Sequence, residues 1–198
     1  MAYQRLQISP NAAPHVGEYI HKHWLEAWFQ EAHWLLSRQS EPAPGVCAFT
    51  YVPALFLLEI VGGLSTVLYD HPSTKSGERY RALLTGYYPW ELEPRGGADG
   101  STGPYLLYKA FRNPFAHALG KPDRTIGGLG LMAITFPERE LEALELSPTR
   151  TPLASRTLDI NPDGRPSLHI PGLYWGLLRM IYRLTDDAAM MDAVLPKW

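Results

Sequence analysis

The sequence predicts a mainly α protein, with four helices, a small C-terminal β element and a closing helix. Three observations lead to this prediction. Apolar residues recur at three- and four-residue spacing through most of the first 120 residues. Segments rich in Gly and Pro divide that part of the chain into pieces of helical length. After residue 123, short β-prone runs replace the helical spacing until one last helical segment.

The first two helices are predicted from their apolar patterns. Residues 14–38 form the first, because Val16, Trp24 and Trp28 belong to a periodic apolar face. It ends at the segment QSEPAPG. The second helix runs from about residue 54 to residue 69. Its sequence is apolar nearly all round, so we expect it to be buried on most sides.

Two further helices follow from helix-end signals. Ser76 is the predicted N-cap of the third helix, Glu78 suits its positive end, and Pro89 ends it. A loop rich in Gly and Pro comes next. The fourth helix begins near residues 102–105, contains the segment YLLYKAFRNPFAHA, and ends at GKPDRTIGG.

The C-terminal part has a different character. LMAITF, RTLDI and SLHI are predicted strands, and NPDG is a turn between the last two. Residues 171–184 have helical periodicity, with Arg179 and Arg183 four apart on one face. We therefore divide the chain into a helical domain, residues 1–122, and a β element with a closing helix, residues 123–198, packed on the same core.

The composition and charge exclude several classes of protein. Apolar residues make up 45% and charged residues 19%, as in a globular protein, and the net charge of -2 restricts any nucleic-acid surface to a local patch. Cys47 is the only cysteine, which excludes an intramolecular disulfide and a cysteine-rich zinc site. The first residues lack the layout of a signal peptide. The apolar stretch Val52–Leu64 is short for a membrane span and includes Glu59. A cytoplasmic protein without membrane association is predicted.

The fourth helix carries the one unusual constellation. Pro114 lies between Arg112 and His117, which would point about 140° apart in a straight helix. Because proline lacks an N–H and disfavours helical geometry in the residue before it, we expect Pro114 to push Asn113 out of that geometry. The kink would turn the guanidinium towards the imidazole.

The charges around this constellation are mostly positive: Lys109, Arg112, Lys121 and Arg124 face Asp123 alone. Arginine binds phosphate oxygens in a bidentate manner, and histidine exchanges protons near neutral pH. The sequence thus predicts a phosphate site with a titratable group inside it.

The segment RNPFAH resembles the R-x(4-6)-H motif of HEPN domains, in its R-N-x-x-x-H form, late in a four-helix bundle. The resemblance covers about residues 10–122. It implies that Arg112 and His117 are catalytic and that Asn113 is the polar residue that orients them. HEPN proteins include ribonucleases of toxin–antitoxin, abortive-infection and CRISPR systems.

The resemblance also implies an activity and partners. The activity is metal-independent endoribonuclease cleavage, in which the RNA 2′-hydroxyl attacks the adjacent phosphate and leaves a 2′,3′-cyclic phosphate. No cofactor and no metal are predicted. One arginine and one histidine make a small active site, so a homodimer with a composite site is expected. An antitoxin or another regulatory partner would fit a toxin or antiphage-defence context.

Three positions are predicted to bind the RNA substrate: Lys109, Lys121 and Tyr108. The lysines would contact phosphates, and the alternative is that they are solvated surface charges. Tyr108 would stack on a base, and the alternative is core packing. Two other functions stay open for the whole protein. It could be a non-catalytic HEPN module that binds nucleotide or RNA or mediates dimerisation, or a structural helical protein with an accidental motif.

Overall fold

A computed structural model describes residues 6–16, 18, 25–37, 51–69, 74–118, 133–135, 153, 156–162 and 164–194 of the 198-residue chain. The described residues of the N-terminal half include three helices: α1 (Leu25–Ser37), α2 (Tyr51–Leu68) and α3 (Ser76–Tyr87). Residues 14–16 and 18 are also helical. A short 3-10 turn, Trp90–Leu92, follows α3.

Residues 103–118 form a single helical rod, here called the motif helix. It consists of α4 (Gly103–Leu106), a π-helical segment (Leu107–Arg112) and α5 (Asn113–Ala118). The motif helix packs against α2 and α3, and α2 also contacts α1. The mainly α prediction is therefore confirmed.

A small sheet follows. Its strands are β1 (Ala133–Thr135), β2 (Leu158–Ile160) and β3 (Pro166–His169), in the order β1-β3-β2. β2 and β3 are antiparallel, with Leu158 opposite Leu168, and β1 runs parallel to β3. Gly164, at the end of the predicted turn, has φ +80°, a conformation that glycine adopts without strain. The small β element is thus also confirmed.

The closing helix α6 (Ile170–Asp186) lies at the centre of the molecule, and a short helix, α7 (Ala188–Val194), follows it. α6 contacts α2, α3, α7 and β3. Arg179, predicted to share a face with Arg183, is buried, whereas Arg183 is partly exposed and forms an ion pair with Glu91. The two arginines differ because α6 is surrounded by the core along most of its length.

Two helix predictions are corrected. Ser76 is the first residue of α3 and not its N-cap: Lys75 has the extended geometry of a cap, and its N–H donates to the Glu78 carboxylate. α2 begins at Tyr51, before the predicted residue 54, and it is less buried than expected, because Gly63 and Thr66 within the predicted range are exposed and several others are only partly buried. By length and hydropathy α2 could cross a membrane, which is weak evidence because core helices of soluble proteins pass the same test.

Candidate functional site

The backbone hydrogen bonding of the motif helix is π-helical in the segment just before Pro114. In a π-helix each N–H bonds to the carbonyl five residues back, and the Asn113 N–H indeed donates to the Tyr108 carbonyl. Asn113 has φ -64° and ψ -49°, so the expectation that Pro114 pushes it out of helical geometry is wrong. The wider turn that precedes Pro114 accommodates the missing N–H without a break in the helix.

The buried face of the motif helix continues through this turn. Buried residues occur in neighbouring pairs along the rod: 103 and 104, 106 and 107, 110 and 111, and 114 and 115. The intervals between the pairs are three or four residues, which a regular α-helix also produces. The sequence therefore did not indicate the π-helical turn.

The two motif side chains meet on the surface of α5. Arg112 Nη1 lies 3.2 Å from His117 Nε2. The same Nη1 lies 3.5 Å from Asn113 Oδ1, at the outer limit of a hydrogen bond. His117 is exposed, whereas Arg112 and Asn113 are partly buried. The imidazole is thus accessible from solvent and is not packed among apolar neighbours.

The contact with arginine defines which ring nitrogen is the acceptor. A guanidinium can only donate, so His117 Nε2 must accept, and the neutral ring then carries its proton on Nδ1. The unprotonated Nε2 is the form that a general base requires. The arrangement can therefore place a base and a permanent positive charge beside one phosphodiester.

A third side chain completes the cluster and comes from α2. Glu59 Oε1 lies 3.2 Å from Arg112 Nε, and Arg112 Nη2 lies 3.4 Å from Glu59 Oε2. The side chains are 19% and 30% exposed, so water screens the pair only in part. We call Arg112, Asn113, His117 and Glu59 the Arg112 cluster.

Sequence reasoning missed the role of Glu59. It lies 53 positions before Arg112, in an apolar stretch where it counted only as an interruption. Gly62, one turn later, is close as well: a Cβ at Gly62 would lie 3.3 Å from Glu59 Oε2 and 3.9 Å from Arg112 Nη2. Only the packing of α2 on the motif helix brings these positions together.

Tyr80 of α3 is close enough to the cluster for the charges of Arg112 and Glu59 to act on it. It is 1% exposed, and its hydroxyl has no hydrogen-bond partner in the described part of the chain. Burial raises the pKa of Tyr80 above its usual range, the charge of Arg112 offsets part of that rise, and Glu59 adds to it. The phenol therefore stays neutral and adds no charge near the ion pair.

The predicted RNA-binding residues differ in their surroundings. The ring of Tyr108 covers Gly77, where a Cβ would lie 2.6 Å from a ring carbon, and its hydroxyl lies 3.3 Å from Ser76 Oγ. These contacts favour packing over base stacking. Lys109 is partly exposed on the π-helical segment. Lys121 lies outside the described residues.

Comparison with known proteins gives no family. No protein-family model matches the chain, no curated protein matches it, and no solved structure matches it. Across the described ranges, no group of three or more His, Cys, Asp and Glu side chains is placed to hold a metal ion. The geometry of the Arg112 cluster is therefore the basis for a proposed function.

Proposed function

We propose that the protein is a metal-independent endoribonuclease of the HEPN type, built on a HEPN-like four-helix bundle. One observation carries the proposal: Arg112 and His117 of the R-N-x-x-x-H segment are 3.2 Å apart, and the imidazole is exposed to solvent. Catalysis would need a phosphodiester within reach of both groups, and an exposed pair allows this.

The proposed reaction uses each group once. His117 Nε2 takes the proton from a ribose 2′-hydroxyl, and the resulting oxygen attacks the neighbouring phosphorus. Arg112 binds the phosphate oxygens, on which negative charge accumulates in the transition state. The bond to the 5′-oxygen of the next nucleotide breaks and that oxygen takes a proton from water, which leaves a 2′,3′-cyclic phosphate and a 5′-hydroxyl, while His117 returns its proton to the solvent. Asn113 orients the guanidinium, and Lys109 and Lys121 contact flanking phosphates.

A second copy of the chain would complete this site. Tyr51 and Val52 are exposed, and the Tyr51 ring packs against Phe115 with 5.2 Å between ring centroids, two residues before His117. An exposed apolar patch beside a small active site suits a two-fold interface that brings two motif helices together. In this proposal the protein acts in the cytoplasm as a toxin or antiphage-defence nuclease, with an antitoxin or another regulator as a possible partner.

One observation favours the alternative, a non-catalytic HEPN module that binds RNA or nucleotide or mediates dimerisation. The carboxylate of Glu59 neutralises Arg112. A site whose one arginine is already paired has less positive charge to offer a transition state. The alternative predicts RNA or nucleotide binding, or dimerisation, without turnover.

Cleavage of mixed RNA in the presence of EDTA tests the two functions. Purified wild-type protein should produce fragments with 2′,3′-cyclic ends, and Arg112→Ala and His117→Ala should not. His15→Ala, a substitution at another exposed histidine, is the matched control and should cleave like the wild type. Equal cleavage by all four proteins would reveal a contaminating nuclease. RNA binding without cleavage would favour the alternative.

A further inference from the structure

The contacts of Arg112 divide its guanidinium into two edges. The edge formed by Nε and Nη2 faces the Glu59 carboxylate, with 3.2 and 3.4 Å separations. Nη1, on the other side, faces His117 and Asn113. Arginine binds a phosphate most tightly through two parallel N–H groups on one edge. In this structure a carboxylate already lies against one such edge: Nη2 donates one hydrogen bond to Glu59 Oε2, and Nε is in ion contact with Glu59 Oε1 without hydrogen-bond geometry.

This occupation has two opposite effects on an incoming phosphodiester. The carboxylate repels the phosphate and competes with it for Nε and Nη2, so binding is weakened. The same carboxylate fixes the long arginine side chain from a second helix, so that Nη1 stays beside His117 Nε2. A group held in the reactive geometry reacts faster than a mobile one.

Gly62, one turn after Glu59 on the same helix, leaves room for the Glu59 carboxylate beside Arg112. Any larger side chain there would have its Cβ 3.3 Å from the carboxylate. The neutral Tyr80 phenol nearby adds no competing charge. Glu59 is therefore held on Arg112 by its surroundings and is not a freely moving surface carboxylate.

We infer that Glu59 is a positioning residue and an anionic gate for Arg112: it weakens RNA binding and accelerates cleavage. The inference rests on the proposed function for its cleavage half and stands on electrostatics alone for its binding half. Opposite effects on binding and on rate distinguish this role from a purely structural one, in which both would fall together.

The experiment compares wild type with Glu59→Gln, Glu59→Asp and Glu91→Gln. Glu91→Gln is the matched control, because Glu91 pairs with Arg183 in another part of the molecule and loses the same charge. Binding is measured with a 2′-O-methyl oligonucleotide, which cannot be cleaved because its 2′-oxygen is blocked. Cleavage is measured in single turnover with the matching unmodified RNA. Thermal melting confirms that each variant is folded.

Glu59→Gln should bind the blocked oligonucleotide about three- to tenfold more tightly than wild type and Glu91→Gln. Its single-turnover rate should fall about ten- to a hundredfold. Glu59→Asp, which keeps the charge but is shorter, should bind like wild type and cleave at an intermediate rate.

The outcomes separate the two proposals. If Glu59→Gln binds the oligonucleotide no more tightly than Glu91→Gln does, the inference that Glu59 weakens RNA binding is wrong, even if wild type cleaves RNA. If it binds more tightly but cleaves as fast as wild type, the positioning role is wrong. If wild type does not cleave, the proposed ribonuclease is wrong, and the gain in binding alone decides whether Glu59 gates Arg112.

Discussion

Two arginine clusters in this molecule differ in what surrounds the guanidinium. One edge of the Arg112 guanidinium faces the Glu59 carboxylate. Its Nη1 lies near the exposed His117 and, at 3.5 Å, the side-chain oxygen of Asn113. Arg156 is partly exposed, but each nitrogen of its guanidinium has a protein acceptor. Its Nη1 lies 2.6 Å from Asp159 Oδ1, its Nε donates to the Pro94 carbonyl, and its Nη2 donates to the Arg95 carbonyl.

The Arg156 cluster joins the loop after α3 to the small sheet. Asp159 also accepts from His169 Nε2 at 2.8 Å, and the Thr157 N–H donates to Glu93 Oε1. His169 has therefore a carboxylate partner that the sequence did not indicate. An arginine that binds several protein acceptors fixes structure, whereas an arginine beside an exposed imidazole can still receive a ligand. The number of protein acceptors around each guanidinium therefore distinguishes an arginine that stabilises the fold from one that belongs to a candidate binding site.

The most direct test of this difference is to replace each arginine with alanine in turn. Arg112→Ala should lower single-turnover RNA cleavage about a thousandfold and, although it leaves Glu59 without its cation, should destabilise the fold less than Arg156→Ala does. Arg156→Ala should lower the free energy of unfolding by about 2 kcal/mol, because several charge-assisted hydrogen bonds are lost, and should leave cleavage unchanged. Denaturant unfolding and cleavage of the same samples measure both. If Arg112→Ala destabilises as much as Arg156→Ala, the two clusters are of the same kind.

A second prediction concerns pH and the Arg156 region. Burial raises the pKa of Glu93 from 4.5 to about 7, a rise that hydrogen bonds from Thr157 and Tyr88 partly offset. Below pH 4.5 folded and unfolded chains both hold the proton. Between about pH 4.5 and 7 only the folded chain keeps it, so stability falls by up to about 3 kcal/mol as the pH rises. Glu93→Gln should abolish this fall.

Urea unfolding at several pH values between 5 and 8 tests the predicted fall in stability. Glu93→Gln should be more stable than wild type at pH 8 and similar to it at pH 5. Glu91→Gln is the control, because the bond from Arg183 lowers the pKa of Glu91 and the sign is opposite. A wild-type stability that rises between pH 5 and 7, with no difference in Glu93→Gln, would contradict the prediction.

A third prediction addresses the proline of the motif helix. Pro114→Ala restores an N–H, which allows α-helical bonding to extend back into the π-helical segment. The fold should be retained, and the rate of RNA cleavage should fall about a hundredfold, because Arg112 would turn away from His117. Pro53→Ala, a change in the first turn of α2, where proline removes no helical hydrogen bond, should leave the rate unchanged. Equal rates for both variants would show that the proline has no role in aiming the side chains.

The smallest expected effect comes from adjacent glycines of α2. Gly63→Ala should raise the free energy of unfolding by about 1 kcal/mol and leave cleavage unchanged, because a Cβ there meets nothing within 4 Å. Gly62→Ala should gain less stability and lower the cleavage rate a few-fold, roughly, because its Cβ presses on Glu59. Identical behaviour of the two variants would show that the spacing between α2 and the Arg112 cluster does not matter.

The sequence was informative about elements whose pattern is local. A nearly continuous apolar run located α2, helix-end signals located α3, and helical periodicity located the closing helix; β-prone runs beside a Gly-containing turn located β2 and β3. α7 was missed, although Asp187 before it accepts the N–H of Met190 as a helix cap does. Residues 187–194 are too short a segment for periodicity to be recognised.

The candidate site could be predicted only in part. Arg112, Asn113 and His117 lie within six residues, so their proximity follows from the local helix. Glu59 and Tyr80 reach the cluster through tertiary packing of α2 and α3, which spacing along the chain does not encode. The π-helical segment was not predicted, because the apolar residues of the motif helix also fit the spacing of a regular α-helix.

The π-helical segment also makes the motif helix tolerant of a change in chain length. A turn that holds an extra residue can lose one and become a regular α-helix without breaking the backbone. Leu107 and Phe115, now eight positions apart, would then be seven apart, which is close to two turns of a regular α-helix, so both could still face the core. A single-residue deletion between these two positions should therefore disturb the fold less than the same deletion in a regular helix such as α3, where every later side chain would turn by about 100°.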